Sequence, residues 1–223
     1  DIIFESFHHE HLKIAVEICE DLWAPLPPST KHCLNGATLI LNPSASNDLT
    51  SKSDYRRLLV SSHSARLICG YAYCNAGLGE STTDVVFSNH HIIAENGTLL
   101  EESVQYETGL IYSDIDLDKL VSERIEMSTY ETRNDHYHFI PFEIDTEDLE
   151  LERYYNPYPF VPSDTEQRAM RCKEVFDIQM HGLIQRLKAA HIQKVVIGIS
   201  GGLDSTLALL VASMAYKKLG YPS

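Results

Sequence analysis

Two adjacent glycines near the C-terminal end of the sequence could hold a phosphate group. Gly201 and Gly202 separate a β-branched run from an apolar stretch typical of a helix. Without a Cβ, the backbone can turn sharply there, and its N–H groups converge with those of the next helix on one spot. Ser200 and Ser205 add hydroxyl donors, and Asp204 fits if Mg²⁺ bridges it to a nucleotide. The alternative interpretation is a tight turn whose glycines serve only packing.

Cys19 is the second residue whose surroundings could support chemistry. It stands in VEICEDLW, at the predicted end of a strand and next to Glu20. An exposed thiol there could act as a nucleophile. By spacing alone, a small core residue is the stronger interpretation, because nearby acids disfavour the thiolate.

Charge and composition limit the classes of function. The formal net charge of −14 argues against a broad nucleic-acid interface, which needs clustered Lys and Arg. The sequence has no apolar run near the ~18 residues of a membrane span and no signal-peptide pattern. We therefore expect no membrane partner. Five cysteines without a C-x-x-C pair indicate a reduced, cytoplasmic chain.

We expect neither the other cysteines nor a cluster of three histidines to take part in chemistry. We expect His8, His9 and His11 to lie in a solvated loop rather than in a zinc site, since their spacing matches no helical ligand pair. The remaining cysteines are interpreted as core residues: Cys33, Cys69, Cys74 and Cys172.

Residues 1–127 have the pattern of a layered α/β domain, with short strands alternating with helices and then hairpins. Asn96-Gly97 predicts a two-residue hairpin turn. The stretch TGLIYSDIDL (108–117) predicts another strand, and Asp116 a helix cap. Tyr55, Arg56 and Arg57 open a helix, where we expect ion pairs at a surface or subunit contact.

Residues 128–162 predict a linker, because they combine an acid-rich run with a proline-rich one. A second unit, 163–223, then begins with Ser163-x-x-Glu166, which has the form of a capping box. Its run VVIGIS (195–200) predicts a parallel strand buried on both faces.

Several motifs in a fixed order carry a resemblance that covers essentially the whole chain. The glycine segment SGGLDS is not a Walker loop, since no Lys follows the glycines. It resembles the pyrophosphate loop of ATP pyrophosphatases. ICEDLW, NPSAS, YRRLL, GESTTD and ENG resemble the second half of a nitrilase-type glutaminase domain. Together they resemble the glutamine-dependent NAD⁺ synthetase family.

The resemblance implies the fold and the domains. The fold class is α/β: the C-terminal half of a nitrilase-like α-β-β-α sandwich in 1–127, then the start of a Rossmann-like ATP pyrophosphatase domain in 163–223. We expect the chain to be a fragment that starts inside the first domain and stops inside the second, without activity of its own. In the family, the Glu and Lys of a Glu–Lys–Cys triad lie upstream of the cysteine.

The resemblance also implies roles for individual residues. Cys19 matches the glutaminase nucleophile, and Glu20, Ser46 and Lys52 match glutamine-binding positions, although the family often has Arg where Lys52 stands. Asp204 matches a metal ligand. The ATP-binding loop corresponds to Gly198, Ile199, Ser200, Gly201, Gly202, Leu203, Asp204 and Ser205.

The implied reaction is that of a cytoplasmic ligase in a homo-oligomer. Glutamine supplies ammonia, ATP with Mg²⁺ adenylates nicotinic acid adenine dinucleotide, and ammonia displaces AMP to give NAD⁺. Two alternatives stay open: a stand-alone carbon–nitrogen hydrolase whose glycine segment is incidental, and a non-catalytic assembly module.

Overall fold

The computed structural model describes residues 1–81, 84–144 and 153–221. The chain has an α/β fold and divides into two compact units, Asp1–Arg153 and Tyr154–Ser223. The predicted boundaries at 127 and 163 stay predictions.

The first unit is built on one sheet, which has seven strands within the described residues. In chain order the strands are β1 (Ile2–Ser6), β2 (Lys13–Val16), β3 (Leu39–Ser44), β4 (Gly70–Asn75), β5 (Ile92–Glu95), β6 (Thr98–Glu102) and β7 (His138–Phe142). Their spatial order is β6-β5-β4-β3-β2-β1-β7. Strands β2, β3 and β4 are parallel, and β4, β5 and β6 form an antiparallel meander. The carboxyl ends of β2, β3 and β4 therefore meet at one edge of the sheet.

Two of the helices in this unit cover one face of the sheet. A short 3₁₀ helix spans Cys19–Trp23, and α1 (Pro28–Leu34), α2 (Lys52–Leu67) and α3 (Leu117–Glu126) follow in the chain. Helices α1 and α2 contact each other and the sheet. The core between them consists of buried aliphatic, tyrosine and cysteine side chains: Ile3, Ala15, Leu22, Cys33, Ala37, Ile40, Val60, Leu67, Cys69, Tyr71, Tyr73, Ile92 and Ala94.

Two local predictions in the first unit are confirmed. Strands β5 and β6 are joined by Asn96 and Gly97, whose φ values of 44° and 82° lie in the left-handed region that a two-residue hairpin turn requires. Asp116 caps α3, since its Oδ1 accepts from the N–H of Lys119 at 3.0 Å.

The strand predicted at 108–117 is wrong. These residues have no strand pairing, and Leu110 is 94% exposed. The segment is instead held at its end, where the N–H of Asp116 donates to the buried Glu95 carboxylate at 2.6 Å. An apolar, β-branched pattern cannot create a strand unless a neighbouring strand offers its hydrogen-bonding edge.

Part of the predicted linker belongs to the sheet. Strand β7 lies within 128–162 and pairs in parallel with β1, with Ile3 opposite Phe139. Arg153 is tied to the first unit as well, because both of its terminal nitrogens contact the Glu95 carboxylate, at 2.6 and 2.7 Å. The acid-rich residues 145–152 lie outside the described residues.

The second unit contains α4 (Thr165–Ala189) and α5 (Leu203–Leu219). The two helices pack through a small cluster, namely Met180, Ile184, Val211 and Ala215 with Phe176, Leu183 and Leu219 around it. The predicted capping box is wrong by one residue: Asp164 is the cap, and its Oδ1 accepts from Gln167 N–H at 2.8 Å. No helix among the described residues is both long and apolar enough to cross a membrane.

The buried strand predicted for VVIGIS (195–200) is also wrong. These residues form no strand, and Val196 is 99% exposed. The described part of this unit is helical apart from its connecting segments, so the run has no neighbouring strand with which to pair.

The prediction of four core cysteines is half right. Cys33 and Cys69 are buried, whereas Cys74 and Cys172 are exposed. Side chains alternate along β4, so Cys74 points to the face opposite the buried Tyr71 and Tyr73.

Replacing Gly97 with Ala should destabilise the hairpin. Its φ of +82° disfavours an L side chain, and an added Cβ would lie 2.9 Å from the Cβ of Ala65. We expect a loss of about 1–2 kcal/mol in the free energy of unfolding. Urea unfolding followed by the fluorescence of Trp23, the single tryptophan, measures this. Gly109→Ala is the matched control, because a Cβ there would meet no atom within 4 Å. Equal losses in both variants would contradict the prediction.

Candidate functional site

Cys19 stands at the turn that follows β2. It is the first residue of the 3₁₀ helix and has a φ of +52°, which non-glycine residues rarely adopt. Its N–H donates to Oδ1 of Asn42 at 3.1 Å, and the N–H of Ile18 donates to Oδ2 of Asp21 at 2.7 Å. The thiol is reduced and half-buried. A sharp strand-to-helix turn of this kind presents a nucleophile at the edge of a sheet.

Lys52 faces the same turn from the first residue of α2. Its Nζ donates to the backbone oxygen of Asn47 at 2.7 Å and to Oδ1 of Asn47 at 3.0 Å. Partial burial, followed by the charge of Arg56, lowers the pKa of the ammonium group. Cys19 and Glu20 act electrostatically in the opposite direction. The thiol, the carboxylate and the ammonium group are therefore close enough to influence one another.

Ser46 is buried in the loop that leaves β3, and two residues hold its backbone. Asn75 accepts from Ser46 N–H at 2.8 Å and donates to the Ser46 oxygen at 3.0 Å. Nη2 of Arg56 donates to the Ser46 oxygen and to its Oγ, both at 3.3 Å. Since Oγ accepts from Arg56, the hydroxyl hydrogen can be donated to a ligand oxygen.

Arg56 is fully buried, so the expectation that it lies at a surface is wrong. Its Nη1 is 2.8 Å from Nδ1 of His90, and its Nη2 is 3.3 Å from Oδ1 of Asp48. A guanidinium group can only donate, so Nδ1 of His90 accepts. Nε2 of His90 then carries the hydrogen and donates to Glu102 at 2.5 Å. A buried, permanently charged group thus organises the loop that carries Ser46.

Arg57, in contrast, forms the partly exposed ion pairs that the sequence predicted. Its guanidinium group contacts Glu102 at 2.7 Å and Asp54 at 2.8 Å. The sequence contained a signal that Arg56 and Arg57 have different surroundings. Residues 52 and 56 are four apart, so Arg56 lies on the same helix face as Lys52, which the resemblance assigned to the glutamine site.

In the second unit, the glycine loop connects residues 195–200 to α5. Gly201 has a φ of +83°, and Gly202 is the residue before the helix. The hydroxyl oxygens of Ser200 and Ser205 lie 3.3 Å apart across the loop, and the N–H of Ser200 also donates to Ser205 Oγ at 3.3 Å. The loop is exposed, so the N–H groups of the first turn of α5 are accessible to an anion.

Asp204 is exposed in the first turn of α5. Among residues 1–81, 84–144 and 153–221 there is no group of three or more His, Cys, Asp or Glu side chains that could hold a metal ion. A single carboxylate fits Mg²⁺ only where substrate phosphates supply further oxygen ligands. A magnesium ion beside Asp204 would therefore need further oxygen ligands from a bound phosphate group.

Curated proteins are similar to the chain over its entire length. A Mycobacterium tuberculosis glutamine-dependent NAD(+) synthetase is 41% identical over 233 aligned residues, covering 100% of this chain and 34% of the relative. Along its whole length, the chain matches one segment of the glutamine-dependent NAD(+) synthetases. A glutamine-dependent NAD(+) synthetase of Thermotoga maritima is 28% identical and covers 93% of the chain. The chain spans about a third of the length of these relatives.

The NAD synthase family model matches residues 175–221, which include the glycine loop. Among solved structures, the glutamine-dependent NAD+ synthetase of Acinetobacter baumannii in complex with ADP covers 96% of this chain and 32% of its own, at 19% identity and a TM-score of 0.47. A carbon–nitrogen hydrolase of Helicobacter pylori covers 52% of this chain and 44% of its own, at 18% identity and a TM-score of 0.45.

The residues that the family resemblance assigned to glutamine lie in the first unit. Lys52 interacts electrostatically with Cys19 and Glu20. Arg56 connects Lys52 to Ser46, because its charge lowers the pKa of Lys52 and its Nη2 donates to Ser46 Oγ. The residues assigned to ATP lie together in the loop of the second unit. Their individual roles stay predictions. Sequence reasoning missed Asn42 and Arg56, which hold Cys19 and Ser46.

Stability should fall in mild acid because several histidines are buried. Burial is the largest cause of the lowered pKa values of His32, His63, His90 and His91. The folded state disfavours their protonated forms, so their contribution is present above the unfolded pKa of about 6.5 and lost as the pH falls below it. Between pH 7.5 and 5.5 we expect the free energy of unfolding to fall by on the order of 1 kcal/mol.

Urea unfolding of the first unit, followed through Trp23, checks this prediction. His63→Gln should reduce the loss, whereas a change at the exposed His136, His136→Gln, should leave it intact. A free energy of unfolding that rises or stays constant over this pH range would contradict the argument.

Proposed function

We propose that the protein takes part in glutamine-dependent NAD⁺ synthesis, with glutamine hydrolysis at Cys19 and ATP activation at the glycine loop. The observation that carries the proposal is the segment 200–205, in which the glycine loop passes into the first turn of α5, inside the part that the NAD synthase family model matches. Similarity along the whole chain to curated synthetases supports it further and favours a ligase over a stand-alone hydrolase.

In the glutaminase reaction, the Cys19 thiolate attacks the side-chain amide carbon of glutamine. The carbon–nitrogen bond breaks, the nitrogen takes up a proton and leaves as ammonia, and a glutamyl thioester remains. Water then hydrolyses the thioester, which releases glutamate and restores the thiol. The turn at Cys19 suits this role because Asn42 holds its backbone while the side chain remains partly accessible.

Glutamine binding is assigned to three neighbouring residues. Lys52 offers a single positive charge to the α-carboxylate, without the two-pronged geometry of arginine. Glu20 is exposed and offers its carboxylate to the α-amino group. Ser46 can donate its hydroxyl hydrogen, since its oxygen already accepts from Arg56.

The synthetase reaction is assigned to the glycine loop. Backbone N–H groups around Gly201 and Gly202 and the hydroxyl groups of Ser200 and Ser205 bind the pyrophosphate portion of ATP. Asp204 would hold Mg²⁺ together with the phosphates, and the ion would neutralise charge there. The carboxylate of nicotinic acid adenine dinucleotide attacks the α-phosphorus, and pyrophosphate leaves. Ammonia then attacks the acyl carbon, and AMP leaves with the formation of NAD⁺. We also propose that the complete enzyme is a homo-oligomer.

Substitutions at Cys19 and Asp204 should separate the two reactions. The chain can be placed in the corresponding segment of the M. tuberculosis relative, with which it aligns along its whole length. In this chimera, Cys19→Ala should abolish NAD⁺ formation driven by glutamine but preserve formation driven by added ammonia. Asp204→Asn should reduce both by roughly a hundredfold or more, because one charged group is lost from phosphate activation. NAD⁺ and glutamate are measured by mass spectrometry.

Cys74→Ala is the matched control, because Cys74 is an exposed cysteine of the same unit. It should leave both activities unchanged. Glutamine-driven synthesis that survives Cys19→Ala would overturn the assignment of the nucleophile. Ammonia-driven synthesis that survives Asp204→Asn would overturn the role of the loop carboxylate.

The two glycines of the loop should respond differently to substitution. Gly201 has a φ of +83°, so Gly201→Ala strains the backbone although its Cβ would meet no atom within 4 Å. Gly202 has a φ of −81°, and its added Cβ would make only an ordinary contact at 3.5 Å with Ser200 Oγ. We expect Gly201→Ala to weaken Mg²⁺-ATP binding by roughly five- to thirtyfold, and Gly202→Ala to weaken it less. Calorimetry on the chimera measures both affinities. Equal affinities would contradict a requirement for the left-handed backbone.

A further inference from the structure

A chain of buried hydrogen bonds lies beneath Cys19. Asn42 bonds to the Cys19 backbone: its Oδ1 accepts from the N–H at 3.1 Å, and its Nδ2 lies 3.5 Å from the carbonyl oxygen. The same Nδ2 donates to the hydroxyl oxygen of Tyr71 at 3.0 Å. The Tyr71 hydroxyl donates to Oε1 of Glu17 at 2.5 Å. Asn42 and Tyr71 are 0% exposed and Glu17 is 1% exposed, so water cannot replace these partners.

The far end of this chain is anchored in two helices. Oε2 of Glu17 accepts from the backbone N–H of Ser29 in α1 at 2.9 Å. The Ser29 hydroxyl oxygen lies 2.7 Å from Nε2 of His63 in α2. The ring of His63 also packs edge-on against Tyr71, with centroids 6.2 Å apart. The carboxylate therefore has a fixed position relative to both helices and to the sheet.

The two acceptor oxygens of Glu17 set the direction of the hydrogen bonds from Tyr71 to Cys19. Oε2 accepts from the Ser29 N–H, and Oε1 accepts from the Tyr71 hydroxyl group, which thereby gives its hydrogen to Glu17. Burial and the neighbouring Glu17 raise the pKa of Tyr71, which keeps that proton available. The Tyr71 oxygen is then left as an acceptor, and only the NH₂ group of Asn42 can satisfy it. Oδ1 of Asn42 must consequently face Cys19, where the backbone N–H needs an acceptor.

Cys19 needs such support because its backbone is strained. A residue with a Cβ rarely adopts the left-handed region and stays there only where the surrounding structure holds it. A carboxamide in the reverse orientation would place NH₂ against the N–H of Cys19. The two donors would repel each other and the turn would lose its tie to β3.

We propose that Glu17, Tyr71 and Asn42 are positioning residues that fix the orientation of the Asn42 carboxamide and thereby hold the strained backbone of Cys19. This role rests on the proposed function of Cys19 as the nucleophile of glutamine hydrolysis. None of the three side chains needs to touch glutamine. They act through the turn, which keeps the thiol at the carboxyl end of β2 between substrate cycles.

Selective ¹⁵N labelling of the five cysteines allows the Cys19 amide to be observed in the intact chain. In Tyr71→Phe, Asn42 loses the acceptor that orients it, so hydrogen exchange at the Cys19 amide should accelerate by roughly three- to tenfold. Its resonance should also shift. The Cys69 amide, which donates to the Ser64 oxygen at 3.2 Å, serves as an internal reference for general destabilisation.

Tyr73→Phe is the matched control. Tyr73 lies two residues further along β4, is equally buried at 1% exposure, and donates to Ser44 Oγ at 2.9 Å rather than to this chain of hydrogen bonds. The proposal requires that Tyr71→Phe accelerate exchange at Cys19 relative to Cys69, and that Tyr73→Phe not do so. If the two variants give the same ratio of Cys19 to Cys69 exchange, the proposal is overturned.

A second measurement uses the unaltered chain, so it does not depend on whether a variant without the buried Tyr71 hydroxyl group folds. In the unaltered chain, both hydrogens of the Asn42 side-chain amide should exchange slowly, because Tyr71 and the Cys19 carbonyl oxygen accept them. Exchange at the rate of an exposed asparagine would overturn the proposal even if Tyr71→Phe does not fold. These amide signals do not depend on activity. If instead Cys19→Ala retains glutamine-driven synthesis in the chimera, only the catalytic role of Cys19 fails, and the hydrogen-bond chain is judged separately.

Discussion

Buried polar side chains on three parallel strands must find hydrogen-bond partners within the protein, and this requirement shapes the candidate site. Glu17 follows β2, Asn42 belongs to β3, and Tyr71 and Asn75 belong to β4. All four point to the face covered by helices, where an unpaired polar group would cost about 1–3 kcal/mol. Glu17, Tyr71 and Asn42 hydrogen-bond in series and hold the turn at Cys19, whereas Asn75 bonds to the backbone of Ser46. The loops that begin at this edge therefore have little freedom. Open α/β sheets bind their ligands at this same edge.

The buried cation extends this order to the loop that carries Ser46. Arg56 can be held without water only because several oxygens and one ring nitrogen accept from it. Lys52 lies one helical turn earlier, with its ammonium 5.3 Å from the centroid of the Trp23 ring. One helix face thus supplies a permanent internal charge and, closer to the thiol, a second charge available to a ligand. Buried partners fix the position of the Arg56 guanidinium group, whereas the loop residue Asn47 holds the Lys52 ammonium group.

Local patterns predicted the parts of this structure that depend on neighbours in sequence. The Asn96-Gly97 turn and the Asp116 cap are of this kind, since a few residues determine their geometry. Cys19 and Lys52 could be found through family motifs. The sequence could not show that Asn42, 23 residues away from Cys19, accepts from its backbone, because that contact exists only once β2 and β3 pair. It also could not show that VVIGIS would remain unpaired, because a strand is defined by its partner.

The two outer strands of the sheet have one further consequence. Within the described residues, β6 and β7 each have one edge without a neighbouring strand. Strand β6 carries Glu101 and Glu102, and β7 carries Pro141, which has no N–H to offer. The exposed carboxylate of Glu101 on β6 and the missing donor on β7 discourage a strand from another molecule from joining there. Each outer strand among the described residues thus carries a feature that disfavours edge-to-edge pairing of two sheets.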